Sequence, residues 1–209
     1  MNNATPTVFI VDDNESLCEG LTLVINSIGL NVKTYHSAQT FLDAYDHSFR
    51  PACLLLDIRL PGTSGLQLQE ELIEKNINIP IIIITGHGDV PMCVDVMNKG
   101  AIDFIQKPFR DQHVLQSIEK AIIQDKRTLE SEKTKSLRED QFKLLTPRER
   151  EVLNLIINGK KSKEIAAELN LSQKTIDGHR GHIMKKVCVN NVAQLVKLFV
   201  TDDNDLYKI

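Results

Sequence analysis

With 209 residues, 42% of them hydrophobic and 25% charged, the chain has an ordinary globular composition and room for one large or two small domains. No apolar run approaches the roughly 20 residues that span a bilayer, and residues 1–7 are polar, without a targeting pattern. The net charge of −3 is uneven: residues 1–120 carry 8 Lys and Arg against 15 Asp and Glu, whereas residues 141–200 carry 11 against 5.

An acidic tail follows at Asp202, Asp203 and Asp205. The basic part is either a polyanion-binding face or ordinary solvated surface, and charge alone leaves both open. Cys18, Cys53, Cys93 and Cys188 show no C-x-x-C spacing for zinc or redox work. They are expected to be reduced and packed as small hydrophobes, in a cytoplasmic protein.

Short apolar runs rich in Ile, Val, Leu and Phe, spaced by helical patterns, read as buried parallel strands. The first is Val8–Val11, with a helix near Glu15–Ile28 stopping at Gly29. A short strand around Val32–Tyr35 precedes a helix opened by Ser37. Cys53–Leu56 leads to Asp57 and the turn Pro61-Gly62-Thr63-Ser64-Gly65, and the next helix carries Leu66, Leu68, Leu72 and Ile73. Ile81–Ile84 ends on Thr85, and Pro91 opens a helix through Met97 that ends near Gly100. A brief strand at Phe104–Gln106 runs into Lys107-Pro108, and Asp111 is the expected N-cap of the last helix. Five strands alternating with helices predict a doubly wound, three-layer α/β domain over residues 1–124.

Leu115, Ile118, Ile122, Leu129 and Leu137 keep helical spacing into residues 125–141, whose 125–140 stretch lacks Pro and Gly. A largely helical linker is expected there, packed on its own domain in its first half or offering a coiled-coil seam. From residue 142 to 209 the pattern is all-helical. Thr146-Pro147-Arg148-Glu149 is an N-cap with Pro at the first helical position and a capping-box Glu. Ser162 is expected to cap a short helix and Ser172 a third, which runs to about Lys186 after the turn Asn170-Leu171-Ser172. A fourth follows from Asn191. Two short helices joined by a tight turn, the second rich in Lys, Arg and His, form a helix-turn-helix pattern.

In an open α/β sheet, ligands bind beyond the carboxyl ends of the strands. Asp12, Asp13, Asp57, Thr85 and Lys107 would therefore meet at one edge. Singly, each is a common N-cap or loop feature; together they make a site. Three close carboxylates repel unless protons or a cation compensate, and Mg²⁺ suits hard oxygen ligands. A metal-assisted phosphorylation site is the expectation.

These motifs carry a resemblance. Asp12-Asp13, Leu56-Asp57 with Pro61-Gly62, Thr85-Gly86-His87 and Lys107-Pro108-Phe109 resemble the receiver domain of bacterial two-component response regulators, a five-stranded flavodoxin-like fold. Leu145 through Glu151 and on to Lys186 resembles the LuxR-type helix-turn-helix. Together they are similar to the NarL/FixJ group of transcription factors, nearer the FixJ side. The resemblance implies a regulator rather than an enzyme. It implies that Asp57 accepts a phosphoryl group from a sensor histidine kinase. Asp13 and Asp57 would ligate Mg²⁺, with Asp12 acting directly or through water and the Arg59 backbone carbonyl as a further ligand. Lys107 would pair with a phosphoryl oxygen, and Thr85 and Phe104 would form the switch, although plain core packing also accounts for Phe104. Arg59 two residues past the nucleophile would alter water access to the acyl phosphate in an unassigned direction. His87 is read as a loop contact.

For the second domain the resemblance implies double-stranded operator DNA and RNA polymerase as partners and a homodimer when phosphorylated, with no membrane. Lys174, Thr175, Arg180, Lys185 and Lys186 are the candidate DNA contacts. His179 has a packing or a DNA role, and Asp177 and Gly181 replace the base-reading lysines of NarL-like members. Val192, Leu195, Val196 and Phe199 are the expected dimer face, with core packing competing for some. Cys188 stands where the group commonly has Gly, which puts the left-handed turn there in question. The alternatives are a receiver acting without phosphorylation and, further off, an Asp-nucleophile phosphohydrolase. Against the latter, Arg59 occupies the position where such enzymes carry a second Asp. A helical protein-docking module is the alternative for the second domain.

Overall fold

The computed structural model describes residues 5–86 and 90–199. The expectations for His87 and for the acidic tail lie outside those residues. The chain divides into two compact units, Met1–Glu130 and Ser131–Ile209.

The first unit is a five-stranded parallel sheet in the order β2-β1-β3-β4-β5. Its strands are β1 (Thr7–Val11), β2 (Asn31–Tyr35), β3 (Ala52–Asp57), β4 (Ile81–Thr85) and β5 (Asp103–Gln106). Helices α1 (Glu15–Ser27), α2 (Ala38–Ala44), α3 (Gly65–Glu74), α4 (Val90–Asn98) and α5 (Asp111–Lys143) alternate with them. Parallel strands need crossover connections, and helices on both faces then bury both sides of the sheet. The side chains divide by the two-residue pleat of a strand. Phe9, Val11, Leu54, Leu56, Ile81 and Ile83 pack on one face; Val8, Ile10, Cys53, Leu55, Ile82 and Ile84 pack on the other. Each fully buried Leu, Ile or Phe contributes about 1.5–3 kcal/mol.

Caps set where the helices begin. Asn14 accepts from the Leu17 N–H at 3.1 Å to open α1, and Ser64 and Gln67 form a capping box at α3. Asp111 is not the cap expected of it: it is the first helical residue of α5, where its charge faces the positive end of the helix dipole. Ile73 is 55% exposed, so the buried stripe of α3 rests on Leu68 and Leu72.

Helix α5 is continuous for 33 residues. Asp125, in its middle, is fully buried. Its carboxylate accepts from Arg50 Nε and Nη2 and from the Ala52 N–H at 2.8 Å, the latter at the start of β3. The first unit thus continues past residue 124.

The second unit holds α6 (Pro147–Ile157), α7 (Ser162–Glu168), α8 (Gln173–Lys186) and α9 (Val192–Phe199). Val152, Leu153, Ile156, Ile165, Ile176 and Ile183 form its core. The Thr146–Glu149 capping box and the Ser172 cap stand as expected. Ser162 does not cap α7; Lys161 holds that position and donates its backbone N–H to Glu164 at 2.6 Å. The left-handed turn after α8 is kept without glycine, with Cys188 at φ 54.

Leu195 and Phe199 correct the expected dimer face. They are 0% and 1% exposed and belong to the core of this unit, because α9 needs an apolar stripe to pack on α6. Val192 and Val196 are only partly buried.

Candidate functional site

Register brings the chemistry to one edge. Val11 lies beside Leu56, Asp57 beside Ile84 and Thr85 beside Gln106, so the carboxyl ends of β1, β3, β4 and β5 finish together. Asp12 and Asp13 follow β1, Asp57 and Thr85 end their strands, and Lys107 follows β5.

The Lys107 ammonium bridges two carboxylates, 2.6 Å from Asp12 Oδ2 and 2.6 Å from Asp57 Oδ2. The other oxygens are also engaged. Asp12 Oδ1 accepts the Asn14 N–H at 2.9 Å, and Asp57 Oδ1 accepts the Arg59 N–H at 3.0 Å. Asp12 and Asp57 are nearly buried, at 3% and 7% exposure, whereas Asp13 is exposed. Burial pushes the Asp12 carboxyl above its ordinary value despite the Lys107 hydrogen bond that opposes it. Burial works to lower Lys107, but its hydrogen bonds to Asp12 and Asp57 prevail and hold the ammonium above its usual range.

Asp12, Asp13 and Asp57 each offer a carboxylate oxygen, all within 4.8 Å of one another. Hard, anionic oxygens in that span are compatible with Mg²⁺. Among the described residues it is the one such group.

Thr85 is fully buried, and its carbonyl accepts the Lys107 N–H at 2.8 Å. Phe104 is half-buried against the face that holds Leu56 and Ile83. Arg59 is exposed. Gly65 sets α3 against the acidic edge: its N–H donates to the Ile58 carbonyl at 2.9 Å, and a Cβ there would lie 2.9 Å from the Asp57 carbonyl carbon. Sequence reading saw a turn at Gly65 but not this close approach.

On α8, Lys174, Thr175 and Lys185 are exposed and Arg180 is half-buried. Lys186 differs from them. Its ammonium lies 2.7 Å from Glu149 Oε2, a carboxylate that also accepts the Thr146 N–H at 2.8 Å. Burial would raise the Glu149 carboxyl, but the Lys186 and Thr146 donors outweigh it and hold it below the ordinary glutamate range. Lys186 therefore fastens the end of α8 to the start of α6, a role with no local sequence signal.

Comparisons with known proteins agree with both halves. The response regulator receiver domain family matches residues 8–119, and the luxR family of bacterial regulatory proteins matches residues 143–199. Nodulation protein W of Bradyrhizobium diazoefficiens is 43% identical over 194 residues, covering 93% of this chain and 85% of that protein. Transcriptional regulatory protein FixJ of the same organism is 36% identical, covering 91% and 93%. Among solved structures, response regulator StyR is 43% identical, with a TM-score of 0.81 over 93% of this chain and 98% of that one. Full-length FixJ from B. japonicum is 33% identical, with a TM-score of 0.56 over 94% and 96%. The chain belongs to the two-component response regulators of the NarL/FixJ group, a receiver domain joined to a LuxR-type DNA-binding helix-turn-helix domain.

Proposed function

We propose that Asp57 is the phosphoacceptor and that its phosphorylation controls dimerisation and DNA binding. One observation carries this reading: a nearly buried carboxylate shares a single ammonium with a second carboxylate, beside a third, at the carboxyl edge of the sheet. An Asp57 oxygen attacks the phosphorus of a phosphohistidine on a sensor kinase. The phosphorus–nitrogen bond breaks, and its electron pair stays on the donor imidazole. Phosphoryl transfer passes through a loose transition state, so positioning and charge neutralisation suffice.

Asp12, Asp13, Asp57 and the Arg59 carbonyl would hold Mg²⁺. When bound, it neutralises charge on the phosphoryl oxygens. Lys107 already lies against Asp57 and needs little movement to reach a phosphoryl oxygen. The acyl phosphate brings close to two negative charges and three acceptors. The Thr85 hydroxyl follows the new acceptor, and Phe104 turns into the space it leaves.

The division of labour is then residues 1–124 as receiver, 125–141 as helical connector and 142–209 as the DNA-binding part of a cytoplasmic transcription regulator. Lys174, Thr175, Lys185 and Arg180 contact the operator, while Lys186 braces the recognition helix through Glu149. Val192 and Val196 are what α9 offers a second copy, and RNA polymerase is the downstream partner. The experiment compares operator binding and dimerisation with and without acetyl phosphate and Mg²⁺, in wild type and Asp57→Asn. Phosphate-dependent binding lost in the variant supports the reading; equal binding in all four conditions overturns it.

A further inference from the structure

At the opposite end of the strands from the acidic cleft, the first unit contains a cavity of about 460 Å³. Its wall includes Leu72 near the end of α3, Ile77 and Ile79 in the segment before β4, and Gln124 and Thr128 on α5. That volume is in the range of small-molecule sites, and many times the roughly 30 Å³ of one water. Gln69 also lines it and is 1% exposed. Its side-chain amide nitrogen donates to the Val96 and Lys99 carbonyls at 3.3 and 3.4 Å. Those two acceptors fix the amide's orientation, since turning it over would set oxygen against two carbonyl oxygens. Gln69 Oε1 is then a buried acceptor with no donor. Buried acceptors are nearly always satisfied, so such an orphan in a cavity wall needs an explanation.

We infer that this cavity binds a small, uncharged amphiphile carrying one N–H or O–H donor, which Gln69 Oε1 accepts. The apolar wall at Leu72, Ile77 and Ile79 takes the body of the ligand. The one cation in the wall, Lys99, is held by Glu70 at 2.9 Å and Asp95 at 2.8 Å, which leaves no free positive charge to attract an anion. The site does not depend on phosphorylation of Asp57.

Indole has the required shape and donor, and the chain has no Trp, so indole fluorescence reports its binding to the full-length protein directly. Indene, the same shape without the donor, is measured by competition. Indole is expected to bind about tenfold more tightly than indene, the discrimination of a buried acceptor left unpaired. Gln69→Met should bring indole down to the level of indene. Thr128→Phe, at a half-buried helix position, should fill the cavity and abolish binding while leaving the melting temperature unchanged. Equal binding of indole and indene, binding unaltered in folded Thr128→Phe, or no saturable binding at on the order of 1 mM indole would overturn the inference.

Discussion

Replacing Gly65 by alanine probes how closely α3 is seated on the end of β3. A Cβ at this position would lie 2.9 Å from the Asp57 carbonyl carbon and 3.0 Å from Ile58 Cα, with the Asp57 carbonyl oxygen nearer still. Carbon contacts are ordinarily about 3.5–4.0 Å, and these neighbours are main chain, which cannot swing aside as a long side chain can. The backbone of Asp57 or the first turn of α3 has to yield by roughly 1 Å. Overpacking of this kind costs about 1–3 kcal/mol. A displacement of that size at a reacting group costs on the order of 10²-fold in rate. The assay is phosphorylation by acetyl phosphate with Mg²⁺, followed by intact mass, alongside a urea unfolding curve. Gly20→Ala on α1 is the control, because nothing lies within 4 Å of a Cβ there; it should phosphorylate normally and gain about 0.5–1 kcal/mol as a helical alanine. Wild-type phosphorylation and an unchanged urea midpoint in Gly65→Ala would refute the reasoning.

Three further expectations concern what holds each unit together. Asp125→Ala should cost the first unit about 3–5 kcal/mol in urea, since it strands the buried Arg50 guanidinium. The double variant Arg50→Met/Asp125→Leu should lose less than the sum of the single losses, with about 1–3 kcal/mol remaining from the Ala52 N–H; additive losses would contradict this. Cys188→Gly should stabilise the second unit by about 1 kcal/mol, read as a raised melting temperature, because it relieves a side chain held at φ 54. Glu149→Gln should destabilise that unit at pH 7. Its folded-state pKa lies below the ordinary 4.5, so the contribution is complete above 4.5 and lost as pH falls through the lower folded value. The gap to wild type should therefore close on acidification, and a gap that widened would reverse the sign.

The acidic edge was legible because a parallel sheet converts sequence order into spatial convergence. Once Val8–Val11, Cys53–Leu56 and Ile81–Ile84 read as parallel strands, Asp12, Asp57 and Thr85 had to emerge at the same edge. The caps at Asn14, Ser64 and Thr146 act within a few residues, and those at Ser64 and Thr146 fall on segments the sequence marks as turns or capping boxes. Long-range pairings left no such trace. Asp125 sits in a charged helical stretch that looks solvated, and its burial depends on Arg50, 75 residues away. Lys186 reads as one more cation on a recognition helix until Glu149 is seen beside it. Leu195 and Phe199 share a stripe with Val192 and Val196, and periodicity does not say whether a stripe faces its own core or a second copy. The cavity beside Gln69 is a packing defect between α3, the approach to β4 and α5, invisible to any local pattern.

Borohydride reduction of the acyl phosphate, followed by peptide mass spectrometry, addresses the site of modification most directly. After acetyl phosphate and Mg²⁺, the peptide spanning Cys53–Arg59 should carry homoserine in place of Asp57, and chelation of the metal should abolish the product. Reduction mapping to another residue, or an Asp57→Asn variant that still yields the same product, would contradict the account.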